Sequence, residues 1–312
     1  MGHRKHSAPR RGSLAYRPRG RANRRVPRVR NWPKIASDKP TILGFPAFKA
    51  GTIHAITVDD RAKTPNFGKP LFNLSSVLSL PDAEVKGIRF YGCENGYEVA
   101  IADGQSLPAG VPMEKVNRVA AVVSVVPSEV GLSQKEPLVF EVGVGGGDIK
   151  SQIDYAVGLV GKKVKFSEVF RPGMYVDVLG ITKGKGFEGP VTRFGVKRKQ
   201  HKSRKSVRAV GVIGPWHPAA VMYTVARAGQ MGFHQRTETG KRILLMGNGK
   251  EKPITPAGGF LHFGVVNGDY AVLRGSVPGP ASRFVIVRFP ERWVPRSQAP
   301  PQVVEVSTMA RA

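Results

Sequence analysis

Phe170-Arg171-Pro172-Gly173-Met174-Tyr175-Val176-Asp177-Val178-Leu179-Gly180-Ile181-Thr182-Lys183-Gly184-Lys185-Gly186-Phe187-Glu188-Gly189-Pro190-Val191-Thr192-Arg193 changes character half-way along. Tyr175–Ile181 is a short, mostly apolar run of β-forming residues and reads as a strand. Lys183-Gly184-Lys185-Gly186 with Gly189 then reads as a tight basic loop. Glycine lets a backbone come close to a phosphate, and the two lysines supply charge; a solvated β-turn is the plainer alternative. Beyond the loop, no acid occurs from Gly189 to Thr237. That stretch carries ten cations: Arg193, Lys197, Arg198, Lys199, Lys202, Arg204, Lys205, Arg208, Arg227 and Arg236. Charge of one sign concentrated in this way calls for a polyanion, and nucleic acid is the obvious one.

Outward from here the pattern recurs. The first 34 residues hold twelve Lys and Arg, and the first carboxylate is Asp38. The cations there are Arg4, Lys5, Arg10, Arg11, Arg17, Arg19, Arg21, Arg24, Arg25, Arg28, Arg30 and Lys34. The whole chain has 49 Lys+Arg against 22 Asp+Glu, a net charge of +27, far from the balance of an ordinary enzyme. Anionic membranes also attract such a chain, but no run approaches the roughly 18 apolar residues of a span. Pro9, Pro18, Pro27 and Pro33 argue against the amphipathic helix of a transit peptide. One cysteine, Cys93, excludes an intramolecular disulfide and a Cys-based zinc site. Residues 1–34 and about 195–212 lack the apolar content to offset ordering entropy, so both are expected to be disordered away from RNA.

Between the basic stretches the chain is β-like. Runs at Thr52–Val58, Ser75–Leu80, Val85–Tyr91 and Tyr97–Ala102 are punctuated by turn signals, a spacing that favours an antiparallel sheet or barrel. Acids return over about 106–168, where Val119–Val126 and Leu138–Val144 read as strands. Ile149–Val160 has helical spacing with Asp148 placed to cap it; this is read as an α/β insertion. Barrel-like sequence returns at Phe260–Val266, Tyr270–Arg274 and Phe284–Arg288. A helix is expected over His217–Ala228, with Pro218 in its first turn and Gly229 at its stop.

Several motifs admit two readings. Gly143-Val144-Gly145-Gly146-Gly147-Asp148 before a helix could cradle a phosphate, but its spacing fits neither common phosphate-loop pattern and a strand-to-helix turn is the better account. His201, His217 and His234 lie in or beside the basic stretch with no zinc-binding spacing; imidazoles there suit phosphate or 2′-hydroxyl contacts. Trp216, between Pro215 and His217, is presented by rigid loop residues inside a cationic run. That suits stacking against nucleotides; pinning the base of the following helix is the alternative.

The opening stretch resembles the signature of large-subunit ribosomal protein three, the universal L-three family. Further blocks match its archaeal and eukaryotic branch: Ile213-Gly214-Pro215-Trp216-His217-Pro218-Ala219; Ala226 to Thr237, including Arg227, Gln230, His234 and Arg236; Gly258 to Tyr270, running on to Gly275–Pro280; and Arg4 to Leu14. The likeness spans nearly the whole chain and is weakest at about 62–140. The missing long eukaryotic C-terminal extension points to an archaeal source. The resemblance implies a mainly β protein: a translation-protein-type six-stranded antiparallel barrel with an α/β insertion and long basic N-terminal and internal extensions. It divides the chain into an N-terminal extension (1–37), a first barrel half (38–105), the insertion (106–168), a barrel strand with the basic glycine loop (169–194), an internal extension with Trp216 (195–258), a barrel return (259–289) and a tail (290–312). It implies binding to large-subunit (23S-type) rRNA early in assembly, with Trp216 approaching the peptidyl-transferase region. The implied neighbours are large-subunit protein fourteen and the eukaryote-like protein twenty-four.

The expected function is structural, in the cytoplasmic large subunit, without cofactor, metal, membrane or homo-oligomer. The expected RNA contacts are the cations named above other than Lys34, together with Lys183, Lys185, Trp216, His217, Gln230 and His234. One rival is an RNA methyltransferase using Gly143–Asp148, which S-adenosylmethionine titration would reveal. Another is a DNA-compacting protein, which duplex-DNA competition would reveal.

Overall fold

The computed structural model describes residues 9–108, 111–203, 205–292 and 298–307. Its strands are β1 (Thr41–Ile42), β2 (Gly44–Val58), β3 (Pro70–Leu80), β4 (Ala83–Glu94), β5 (Tyr97–Gly104), β6 (Val116–Val125), β7 (Leu138–Gly145) and β8 (Lys163–Val164). They continue as β9 (Tyr175–Ile181), β10 (Gly184–Glu188), β11 (Gly229–Gly232), β12 (Gln235–Asn248), β13 (Asp269–Arg274), β14 (Phe284–Arg288) and β15 (Val303–Ser307). The helices are short: α1 (Ile149–Leu159), α2 (Phe166–Val169) and α3 (Pro190–Phe194). The protein is thus mainly β with antiparallel sheets. Its contacts divide it into two units, one of residues 1–24 with 182–235 and the other of residues 25–181 with 236–312.

The second unit contains two large sheets. A seven-stranded sheet runs in the order β14-β9-β12-β13-β3-β2-β15, and β14 pairs with β2 as well as with β9. A six-stranded sheet runs β1-β7-β6-β4-β5, with β8 also on β4. α1 packs against β4, β6 and β7, burying Ile153 and Ala156. Asp148 holds the N-cap position, but its side chain makes no capping bond. The Ser151 hydroxyl instead donates to the Asp148 carbonyl at 2.7 Å. A row of phenylalanines fills the shared core. Phe284 meets Phe48 edge-on at 5.5 Å and Phe140 at 5.2 Å between centroids, joining β2, β14 and β7. Phe166 of α2 meets Phe45 in the same way at 5.3 Å. Such edge contacts add about 0.5–1.5 kcal/mol each to the gain from burial.

Four expectations are corrected. Val85–Tyr91 and Tyr97–Ala102, read as strands of the first barrel half, lie in β4 and β5 of the sheet that carries α1. Residues 235–248, read as part of the internal extension, form β12 between β9 and β13. The first half of β12 is polar and interrupted by Gly240, which hid it; the deeply buried residues are Arg242, Ile243 and Leu244. Phe260–Val266 is not a strand. Gly259, His262 and Gly264 have positive φ (76°, 63° and 92°), so the chain turns and only a single Phe260–Gly264 bridge forms. The turn covers the outer face of β2, β3 and β13, where Phe260, Val266, Ile254, Tyr270 and Val77 make a second core. Phe260 lies over Gly51 so closely that a Cβ there would sit 2.3 Å from its ring. Lastly, no helix forms over His217–Ala228. The segment buries no apolar face: Val221, Met222 and Tyr223 are all exposed, and a short helix draws most of its stability from tertiary packing.

The last part of the basic tail does have a seat. Val26, Val29 and Trp32 pack against the main core, and the Trp32 indole lies flat against Gly143 and Gly44. The glycine run that follows is filled from the same side. Gly147 N–H donates to the Ser37 carbonyl at 2.6 Å, and a Cβ on Gly146 would strike the Lys39 carbonyl at 2.4 Å. The run is a strand-to-helix turn packed against the chain's own residues 37–39.

Candidate nucleic-acid interface

The unit of residues 1–24 and 182–235 carries nineteen Lys and Arg and a single acid, Glu188. Its frame is a ribbon of β10 and β11. Gly184 pairs with Gly232 and Gly186 with Met231, so Lys185 is the extra residue of a bulge. Gly186 takes φ 70° there. Lys183–Gly189, expected as a free loop, is therefore mostly a paired strand, and the bulge leaves Lys183, Lys185 and Phe187 exposed. Gly232 is required at its place, since a Cβ would lie 2.0 Å from the Lys183 carbonyl oxygen.

The tail is bonded to this ribbon. Ala22 N–H donates to the Phe233 carbonyl at 2.8 Å. His234 Nδ1 lies 2.8 Å from the Gly20 carbonyl, while the Gly232 N–H donates to His234 Nε2 at 3.1 Å. Since Nε2 accepts, Nδ1 carries the proton and donates to Gly20. His234, expected as an RNA contact, has both ring nitrogens engaged within the protein.

The arginines here bond mostly to main-chain carbonyls. Arg193 donates to the Gln230 and Arg227 carbonyls at 3.1 and 3.0 Å, and Arg19 to the Arg193 carbonyl at 2.8 Å. Arg17 reaches the Val225 carbonyl, Arg10 the Thr224 carbonyl and Arg11 the Gly195 carbonyl. Arg208 donates to the Thr192 hydroxyl at 3.3 Å. A carbonyl satisfies a guanidinium's N–H groups without neutralising its charge, so the charge of the unit persists. Three guanidiniums crowd the buried Phe194 ring, with carbons 4.1 Å (Arg19), 4.9 Å (Arg17) and 5.2 Å (Arg193) from its centroid. Burial, and then the nearby Arg17, hold Arg193 below the ordinary guanidinium pKa.

The remaining expected contacts are placed as follows. Arg21, Arg24, Lys197, Arg198, Lys202, Lys205, His217 and Arg227 are exposed, and Lys199 is half-buried. Trp216 is 88% exposed within a run, 211–223, that is exposed throughout. Gln230 is half-buried and donates to the Gly232 carbonyl at 2.9 Å. Arg25, Arg28 and Arg30 are exposed in the other unit, where Arg236 is half-buried in β12. Arg4, Lys5 and Arg204 lie outside the described residues. Sequence reasoning missed Phe194, Leu14 and Tyr223, which gather beside the arginines; an aromatic directly after Arg193 in an acid-free run was the available cue. Among the described residues no three His, Cys, Asp or Glu side chains come together to hold a metal. No helix among them is long and apolar enough to cross a membrane.

Comparison with known proteins finds a family match over nearly the whole chain. The family model for ribosomal protein L3 matches residues 1–99 and 108–305. The chain belongs to the ribosomal protein L3 family. Its similarity to archaeal members runs end to end. Large ribosomal subunit protein uL3 of Pyrobaculum calidifontis is 44% identical over 97% of this chain and 98% of its own length. That of Methanococcus aeolicus is 40% identical over 98% of both. That of Caldivirga maquilingensis is 43% identical over 91% of this chain and 90% of its own length. This is an archaeal-type L3 chain, as the sequence blocks around Arg193 and Trp216 imply. The L3 match includes both halves of the basic unit and both large sheets.

Proposed function

We propose that this chain is a structural, non-enzymatic constituent of the cytoplasmic large ribosomal subunit that binds 23S-type rRNA through the unit of residues 1–24 and 182–235. One observation carries the reading: nineteen cations face one acid there, and the arginines are held by carbonyls that leave their charge uncompensated. RNA phosphate supplies the missing counter-charge, and Arg and Lys contacts to it position the protein without reading sequence. Lys183, Lys185, Lys197, Arg198, Lys202, Lys205, Arg21 and Arg24 are the exposed cations for this role. Trp216 and His217, exposed in a rigid Gly-Pro-rich run, suit stacking and 2′-hydroxyl contacts near the peptidyl-transferase region. His234 and Arg193 serve the interface by holding its frame.

The pairings β14-β9-β12-β13-β3-β2 that return to β14 support a six-stranded barrel of the translation-protein type. Its part is to anchor the basic unit early in subunit assembly, beside large-subunit protein fourteen and the eukaryote-like protein twenty-four. Sedimentation of epitope-tagged chain from cells tests the proposal. Co-migration with the large subunit, lost on replacing the exposed cations by Gln, is expected; a position at the top of the gradient sinks it.

A further inference from the structure

Beside the Phe194 ring lies a cleft of about 430 Å³, lined by Leu14, Arg17, Arg19, Arg193, Phe194 and Tyr223. Its size falls in the roughly 300–1,000 Å³ range of small-ligand sites. The floor is cationic and the rim apolar. Tyr223 is 72% exposed and Leu14 39% exposed, while Phe194 is buried beneath the three guanidiniums. Arg17 Nε is buried there with no hydrogen-bond partner. Like charges gathered at this distance repel one another, and burial already disfavours the charge on Arg193; an anion among them relieves both costs. An aromatic ring and guanidinium planes are also the surfaces on which unstacked RNA bases lie. A phosphate alone would use the floor and leave the rim idle. A base attached to a phosphate uses both.

We propose that this cleft is a pocket for a single unpaired nucleotide of RNA, bulged or flipped from its helix, its phosphate on Arg17, Arg19 and Arg193 and its base against Tyr223 and Leu14. This rests on the RNA-binding reading above and adds a selective site to it. The pocket separates two parts of binding: the open cations attract any RNA, and the cleft prefers a strand that offers a base unstacked at no further cost.

The test uses the full chain and two RNA hairpins, one with a single bulged 2-aminopurine and one fully paired, with the variants Tyr223→Ala and Leu14→Ala. Both side chains are rim residues, so the frame is kept. Expected are a roughly tenfold preference for the bulged hairpin, a fluorescence change of the 2-aminopurine on binding, and loss of both in Tyr223→Ala with affinity for the paired hairpin unchanged. Equal affinity of the unaltered protein for the two hairpins overturns the pocket and leaves the RNA reading standing. Failure to bind either hairpin overturns both. A preference that survives in Tyr223→Ala and Leu14→Ala together overturns the assignment of the base to this cleft. Adenosine monophosphate in excess distinguishes the source: competition with the bulge alone supports a nucleotide pocket, and competition with neither hairpin at millimolar concentration overturns it.

Discussion

The imidazole of His234 donates from Nδ1 to the carbonyl of Gly20 at 2.8 Å, tying a residue near the start of the chain to one 214 positions later. Its other nitrogen accepts from Gly232 N–H at 3.1 Å. One side chain thus links the tail to the ribbon through one nitrogen and is held by the ribbon through the other. His234→Phe keeps a flat ring and removes both bonds, a local loss of about 1–3 kcal/mol at roughly 0.5–1.5 kcal/mol per bond. Tryptic cleavage after Arg19 and Arg21 should quicken about tenfold or more, with little change in Tm. Unchanged cleavage would show that the tail is held by other contacts.

Gly51 admits no side chain, because Phe260 fills the space a Cβ would need. Phe260 is itself buried and cannot swing outward. Gly51→Val should cost roughly 1–3 kcal/mol, the usual range for an overfilled core, read as a fall of several degrees in Tm. Gly158→Ala is the control: the position lies in α1 with open space around it, so the melt should rise by up to about 1 kcal/mol of helix propensity.

Two adjacent acids, Asp59 and Asp60, should contribute to the response to low pH, alongside Asp103, whose pKa its bonds from Arg89 also lower. Asp59 is buried and accepts two bonds from the Arg61 side chain, each at 2.8 Å, which hold its pKa far below the ordinary value. Asp60 is lowered too, chiefly by its bonds from Arg242. A carboxyl lowered on folding favours the folded state above its unfolded pKa, about 3.9, and that contribution fades as pH falls through the folded value. Tm should therefore drop steeply below about pH 4. Asp59→Asn with Asp60→Asn should lower Tm at pH 7 and flatten the acid limb. A limb as steep as in the unaltered protein would assign the acid sensitivity to other groups.

Binding to RNA should weaken sharply with salt. Contacts to about six to ten phosphates imply a loss of roughly 10³–10⁵ in affinity between about 50 and 200 mM salt. Replacing Lys197, Arg198, Lys202 and Lys205 by Gln should reduce the slope of log K against log salt by about three. An unchanged slope would remove these four from the contact set.

Trp216 has no packing to lose, being 88% exposed. Trp216→Ala should leave the melt within about 0.5 kcal/mol and weaken a local RNA stack by roughly 1–3 kcal/mol. Paired thermal unfolding and chemical probing of rRNA in mutant subunits measure the two. A large fall in Tm with unaltered rRNA reactivity would make Trp216 a packing residue.

What could be read from sequence follows burial. Tyr175–Ile181 and Phe284–Arg288 read cleanly because short apolar runs buried on both faces end abruptly at polar residues. The start of β12 did not, since Gln235–Lys241 is polar and its place is set by pairing with distant strands rather than by its own side chains. His217–Ala228 carries the terminal signals of a helix, but such signals act only where a surface exists to receive the apolar face. The basic stretches were legible from charge alone. The partners inside them were not, because which carbonyls a side chain's N–H groups reach within the chain depends on folded geometry, as Arg193 and His234 illustrate.

The pairing of β2 with β14 joins Gly44–Phe48 to Phe284–Arg288, roughly 240 residues apart. Every strand of the sheet that carries α1 lies between residues 41 and 164. A chain emerging from its start has that sheet in full when about half is made, while the Gly44–Phe48 end of β2 waits for β14. At about 5–20 residues per second the wait is roughly 12–50 s. For that interval the nascent chain exposes an unpaired strand edge beside a tail of free positive charge. The time at which this protein is most able to pair wrongly is thus fixed by the order of its strands along the chain.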